Sequence, residues 1–266
     1  MGVLRLDEDA FISYRIEFTE DDGLIQGYSL TDVGGEHETK SFLSGYFNDD
    51  ENTLEFYESG ILYTKSFVNQ NDFCFVHFNG DLKKLNERQN IEGLFKGLYS
   101  DGKECISGEL KLVNMGKILK RAKKIDRKID KNILIGKEEK EKVNLVKEID
   151  SLQTNRLNKN ETLSVFAMGS SIKLTIYDAG QEDGDQVSLR LNGELIHDKI
   201  EARASKRIIE IPLNTKKTAL EIKALNNGSI GGNTVMLEIR DHDNTLETVT
   251  NLKAGESAKF VFYKDL

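Results

Sequence analysis

The apolar residues of this chain fall on every second position over most of its length, and that rhythm limits what it can fold into. In the run Phe11-Ile12-Ser13-Tyr14-Arg15-Ile16-Glu17-Phe18, the side chains of Ile12, Tyr14, Ile16 and Phe18 share one face. A two-residue period is the mark of a strand buried on one side. Comparable runs cover 24–30, 41–47, 53–57, 61–66, 73–78, 91–99 and 105–113. Between them stand turn-forming groups such as Asp21-Asp22-Gly23, Ser59-Gly60, Asn79-Gly80 and Ser100-Asp101-Gly102. Short strands joined by tight turns predict an antiparallel barrel or sandwich rather than a sheet with parallel crossovers. Gly27, Gly45, Gly93, Gly97 and Gly108 lie inside these runs, where glycine marks the bulges and bends that close a small barrel.

Near residue 115 the rhythm turns helical. Ile118, Ala122, Ile125 and Ile129 form one apolar stripe on a segment otherwise rich in Lys and Arg. Val143, Val146, Ile149 and Leu152 form a second stripe, predicting two short helices or a helical hairpin. From about residue 160 the alternation returns, at 163–168, 172–177, 187–191, 207–211, 219–224, 235–239, 247–251 and 258–263. Asn192-Gly193 between two of these runs is a two-residue hairpin signal. The predicted organisation is an antiparallel β-barrel over 1–114, an amphipathic helical linker over 115–158 and a β-sandwich over 159–266. Seven or eight strands in about 105 residues fit an immunoglobulin-like or jelly-roll sandwich.

Charge follows the same divisions. Residues 1–113 hold 10 Lys/Arg against 22 Asp/Glu, residues 114–160 hold 14 against 7, and residues 161–266 hold 13 against 16. The basic middle invites a polyanion, but both flanks would repel one, so no nucleic-acid partner is expected. No apolar run approaches the roughly 20 residues that cross a bilayer as a helix. Met1-Gly2-Val3-Leu4-Arg5 leads straight into Asp7-Glu8-Asp9, which is not the pattern of a signal peptide. The expectation is the mature portion of an exported protein, with a leader or lipid anchor upstream of the sequence shown.

Cys74 and Cys105 are either two buried thiols or a disulfide closing a loop of about 30 residues, which would place the chain in an oxidising compartment. The most concentrated polar feature is Asp178-Ala179-Gly180-Gln181-Glu182-Asp183-Gly184-Asp185. Calcium prefers six to eight oxygen ligands, and an acidic loop with glycines supplies carboxylates and free carbonyls. Asp178, Glu182, Asp183 and Asp185 are therefore candidate calcium ligands, set against the alternative of a solvated turn. The amide-rich loop 225–233 could meet sugar hydroxyls if it lies beside the acidic loop. His37, between Glu36 and Glu38, has no second histidine nearby and reads as part of a surface loop. No nucleophile elbow, phosphate-binding loop or dinucleotide fingerprint occurs. Paired carboxylates brought together by folding remain the one route to an enzyme.

Two segments resemble known proteins. Ile16-Glu17-Phe18, Gly27-Tyr28-Ser29, Glu38-Thr39-Lys40-Ser41, Gly45 and Ile61-Leu62-Tyr63-Thr64-Lys65-Ser66 resemble lipocalin-like β domains of exported proteins from Bacteroidetes-type bacteria. The acidic run Asp178–Asp185, with Leu189 and Leu191-Asn192-Gly193, is similar to β-sandwich modules of such proteins and to calcium-dependent carbohydrate-binding modules. The resemblance implies a lipocalin-like barrel, an immunoglobulin-like sandwich and a periplasmic, outer-membrane-associated or secreted location. It implies no particular activity. The expected function is non-enzymatic: binding or scaffolding through contacts with an envelope or secreted protein partner. Calcium-dependent glycan binding and carriage of a small apolar ligand, as lipocalins do, are the alternatives.

Overall fold

The computed structural model describes residues 1–67, 72–85, 88–131, 136, 145–146, 149, 152, 154–180, 182–228, 233–242 and 244–264. It is mainly β and divides into two compact units. Met1–Ile61 and Phe67–Gln153 form the first; Leu62–Ser66 and Thr154–Leu266 form the second. The basic helical segment thus falls within the first unit, and five residues after Ile61 belong to the second.

The first unit is a closed barrel of eight antiparallel strands. They are β1 (Gly2–Arg5), β2 (Phe11–Asp21), β3 (Leu24–Thr31), β4 (Thr39–Asn48), β5 (Thr53–Thr64), β6 (Phe75–Leu85), β7 (Arg88–Leu98) and β8 (Glu104–Val113). Each pairs with the next, and β8 returns to β1 through Gly2↔Leu112 and Leu4↔Leu110. The inward side chains fill the interior. Tyr14, Leu43, Phe56, Phe78, Phe95 and Leu110 belong to one buried cluster, with the Phe56 and Phe78 rings stacked at 4.9 Å.

Eight strands were expected here, but two boundaries and one strand differ. Ser59-Gly60 and Asn79-Gly80 are not turns; they lie inside β5 and β6. Gly80 is glycine for room rather than for turning. A Cβ there would fall 2.5 Å from the Phe78 ring and 2.5 Å from the Glu92 carbonyl oxygen. The missed strand is β1, whose four residues are too few to show a period.

Cys74 and Cys105 are joined in a disulfide, their Cα atoms 6.1 Å apart. It lies against Gly97, where a Cβ would come within 2.3 Å of Cys74 Sγ. The β7–β8 register shifts at that point, between Gly97 and Leu98. The extra residue there is Cys105, so β8 bulges at the bridge, and glycine at position 97 of β7 leaves room for the sulfurs.

Helix α1 (Met115–Lys131) follows β8 directly. Asn114 caps it, its Oδ1 accepting from the Gly116 N–H at 2.9 Å. Of the predicted stripe, Ala122 is buried and Ile118 and Ile129 half-buried, whereas Ile125 is exposed. The buried line is narrower than the stripe. Of the second predicted helix, Val146 and Ile149 are helical and Leu152 sits in a turn, while Val143 lies outside the described residues. Asp126 of α1 accepts from the Leu145 and Val146 N–H groups, both at 3.0 Å.

The second unit adds β9 (Asn155–Asn158), β10 (Thr162–Ala167), β11 (Ser171–Tyr177), β12 (Gln186–Leu191), β13 (Glu194–Glu201), β14 (Arg207–Pro212), β15 (Lys217–Ala224), β16 (Met236–Asp241), β17 (Asn244–Asn251) and β18 (Ser257–Lys264). One ladder runs β13-β12-β15-β18-β10 and the other β14-β11-β16-β17-β9. Tyr63 and Thr64, at the end of β5, pair with Val165 and Ser164 of β10. Two pairings, β10–β18 and β9–β17, are parallel. Asn192 and Gly193 both take positive φ, 50° and 90°, and join β12 to β13 as the two-residue hairpin expected from sequence.

The Cys74–Cys105 bridge leads to a first prediction. Replacing both cysteines by Ala should lower unfolding free energy by about 3–4 kcal/mol, read from denaturant midpoints at constant slope. Thiol titration of unreduced, unfolded protein should find no reactive sulfhydryl.

Candidate functional site

Three places in the described residues gather polar or apolar groups in a way that packing alone does not require. The first is at one end of the barrel. β1 pairs only with Phe11–Tyr14 of β2, so the rest of β2 runs on beside β3 without it. Between that overhang and the end of β8 lies a cavity of about 540 Å³. Ile16, Phe18, Phe47, Leu54, Ile91 and Leu112 give it an apolar lining. Ile16, Phe47 and Ile91 also pack onto the barrel core, so its floor is continuous with that core. Arg15, Glu17 and Glu20 lie at the same cavity. Arg15 Nε stands 3.2 Å from Glu17 Oε1, and its Nη1 donates to the Leu152 carbonyl oxygen at 2.9 Å.

The second place is enclosed. On β5, Leu54, Phe56 and Glu58 alternate inward, and Glu58 is only 4% exposed. Its Oε1 accepts from Tyr14 Oη at 2.8 Å and Ser29 Oγ at 2.5 Å; its Oε2 accepts from the Val76 N–H at 2.7 Å. Burial raises the Glu58 pKa, and these three donors partly offset it. Burial, and the Glu58 charge beside it, push Tyr14 well above the ordinary tyrosine value. Each hydrogen-bonding group is satisfied and water is excluded. Such a cluster holds four strands in register; it has no room for a substrate.

The third place is the acidic loop. Asp178 and Asp185 are buried, and Asp185 Oδ2 accepts from the Thr234 N–H at 2.6 Å. Asp183 and Asp185 converge on Gly228: a Cβ there would lie 2.6 Å from Asp183 Oδ2 and 2.4 Å from Asp185 Oδ1. Among the described residues, Asp185 Oδ1 is buried without a hydrogen-bond partner. Burial raises the Asp185 pKa, and the charges of Asp183 and Asp178 raise it further. Glu182 is turned elsewhere, its Oε1 accepting from the Ala204 N–H at 2.6 Å. Asp178 Oδ1 accepts from the Gly180 N–H at 2.8 Å. Of the four candidate calcium ligands, the structure therefore brings Asp183 and Asp185 together, with Asp178 within electrostatic reach. Among the described residues, no three His, Cys, Asp or Glu side chains form a metal cage.

The amide-rich loop does lie beside the acidic one. Asn226 Oδ1 accepts from the Gln186 N–H and Asn226 Nδ2 donates to the Gly184 carbonyl. Asn227 Oδ1 accepts from the Ala254 N–H. These amides hold backbone in place, and residues 229–232 lie outside the described set. Around His37, Asp32 and Glu38 accept from the loop's own His37 and Gly34 N–H groups. Compared with family models, curated proteins and solved structures, the chain matches none. No helix among the described residues is long and apolar enough to cross a membrane.

Glu58 binds its proton more tightly folded than unfolded, so the stability it contributes is greatest at low pH. That contribution falls as pH rises from the ordinary carboxyl range through the folded-state value. The stability difference between wild type and Glu58→Gln should accordingly shift against wild type with rising pH, measured by denaturant unfolding across pH 4–8. Glu58→Leu, which strands the Tyr14 hydroxyl and Val76 N–H, should cost roughly 2–5 kcal/mol.

At the acidic loop, Asp185→Asn keeps an acceptor for Thr234 and removes a charge from beside Asp183 and Asp178. In EDTA at neutral pH the variant should melt above wild type. Melts with calcium chloride in place of EDTA test the calcium reading: a rise confined to wild type supports it, and no rise ends it.

Proposed function

We propose that this chain is a non-enzymatic binding protein whose barrel carries a small, uncharged, largely apolar molecule in the cup between β2 and β8. The cavity of about 540 Å³ carries this reading. Its size lies within the roughly 300–1,000 Å³ typical of small-molecule sites, and an apolar lining with few polar groups is their usual composition. The core beyond it is packed with Phe56, Phe78 and Phe95, so a ligand would sit at the mouth and not along the whole barrel axis. Arg15 and Glu17 neutralise one another, and Glu20 and the Met1 amine lie at the same cavity, so neither sign of charge dominates its lining and an uncharged ligand suits it. A binding role is supported over a catalytic one by Tyr14 and Glu58. Their protonation is displaced, yet they are shut away from solvent.

The Cys74–Cys105 bridge supports an oxidising location such as periplasm, cell surface or medium. An antiparallel barrel with a cup at one end is the basis for the lipocalin-like reading. Two five-strand ladders with alternate residues buried are the basis for reading the second unit as an immunoglobulin-like or jelly-roll sandwich.

The neutral dye N-phenyl-1-naphthylamine tests the cup. Saturable fluorescence enhancement is expected with wild type, weakened at least tenfold by Phe18→Asp and unchanged by Leu24→Asp. Absence of saturable enhancement, or loss with Leu24→Asp instead, would overturn the reading.

A further inference from the structure

The outer face of β3–β7 has a pattern unlike an ordinary solvated sheet. Cross-strand registers set its side chains in two rows. In one, Gln26 pairs with Ser44 on β3 and β4, and Tyr57 with His77 and Lys96 on β5, β6 and β7. In the other, Leu24 pairs with Tyr46, and Glu55 with Asn79 and Leu94. Together they line a groove of about 800 Å³. Leu24, Tyr46, Tyr57 and Leu94 are exposed by 62, 51, 46 and 68%. The Tyr57 and His77 rings lie with planes 21° apart and centroids 5.9 Å apart. Asn79 Nδ2 donates to Glu55 Oε1, fixing the carboxylate beside these rings. Burial lowers the His77 pKa and favours the neutral ring.

We propose that this face is a platform for a neutral oligosaccharide. Aromatic rings alternating with amide, hydroxyl and carboxylate groups match a pyranose, which is apolar on its C–H faces and ringed by hydroxyls. A hydroxyl both donates and accepts, so it can replace the water on Glu55, Asn79 and Gln26. A protein surface laid over the rows would instead strip water from Glu55 and Lys96, at a cost only matched partners could offset. A polyanion is disfavoured by the net acidity of the first unit, 29 acidic against 21 basic side chains, and by Glu55 on the face itself. Adjacent strands lie about 4.8 Å apart, so five strands span about 19 Å, room for a short chain of sugars rather than one. This platform is separate from the apolar cup, and neither depends on the other.

The test uses the full chain on an array of neutral and acidic oligosaccharides, followed by calorimetry with the best neutral binder. Binding to a neutral oligosaccharide is expected, little changed between 0.15 and 0.5 M NaCl. It should fall at least tenfold in Tyr57→Ala and in Tyr46→Ala, and stay unchanged in Phe18→Asp. Both tyrosines are exposed, so unchanged melting temperatures should accompany the loss. A blank array, binding only to sulfated or uronic glycans, or neutral binding that survives both substitutions would each overturn the proposal. So would a concentration-dependent dimer abolished by Tyr57→Ala.

Discussion

The first unit depends on four residues. β1, Gly2–Arg5, is the strip that hydrogen-bonds to both β2 and β8 and turns a curled sheet into a barrel. Without it, β2 and β8 would present two unpaired edges, and unpaired edges recruit other chains. Its shortness matters as much as its presence. β2 has eleven residues and β1 four, so closure is complete at one end and leaves β2 overhanging at the other. The apolar cup follows from that mismatch: Ile16 and Phe18 continue the inward alternation of β2 beyond the point where β1 covers it.

Closure also explains the position of Glu58. Inward positions of a small barrel are normally apolar, and an isolated buried carboxylate is costly. Here the cost is offset by Tyr14 from β2, Ser29 from β3 and Val76 from β6 converging on one residue of β5. Non-local strands that meet at a single polar hub have one register in which all donors are satisfied. Slippage of β2, β3 or β5 by one residue would turn its side chain to the opposite face, and slippage of β6 would carry the Val76 N–H away from Glu58. The hub therefore specifies the barrel even where its net contribution to stability is modest.

Much of this was legible in sequence, and the failures have physical causes. Long runs such as 11–18 and 105–113 repeat their period often enough to be read as strands. Gly2–Arg5 holds only Val3 and Leu4 as apolar residues, and pairing, not pattern, makes it a strand. Asn192-Gly193 and Asn79-Gly80 are the same dipeptide with opposite outcomes. The first turns with positive φ at both residues, whereas in the second the missing Cβ makes space for the Phe78 ring. Local sequence cannot separate a glycine needed for its backbone from one needed for its size. Glu58 was hidden among 45 acidic residues, although its place after Leu54 and Phe56 in an inward alternation was a readable signal. In the acidic loop the residue types were right for a hard cation, but sequence could not show that Glu182 would be drawn to the Ala204 N–H.

The two faces of the barrel wall divide the chemistry of the first unit. Its inward side is largely apolar around the hub at Glu58, and its cup is lined mainly by apolar side chains. Its outward side across β3–β7 sets tyrosine rings among amides and a fixed carboxylate. The unit holds 29 acidic against 21 basic residues, a modest excess, and on this face Glu55 and Lys96 carry opposite charges, so the surface suits a partner that carries no charge. An uncharged partner gains nothing from the field and loses nothing to it, so recognition rests on ring stacking and hydrogen bonds alone. Both depend on side-chain spacing, and here spacing is set by strand register. The pairings that close the barrel thus also fix the distance from Tyr57 to His77 and from Glu55 to Asn79.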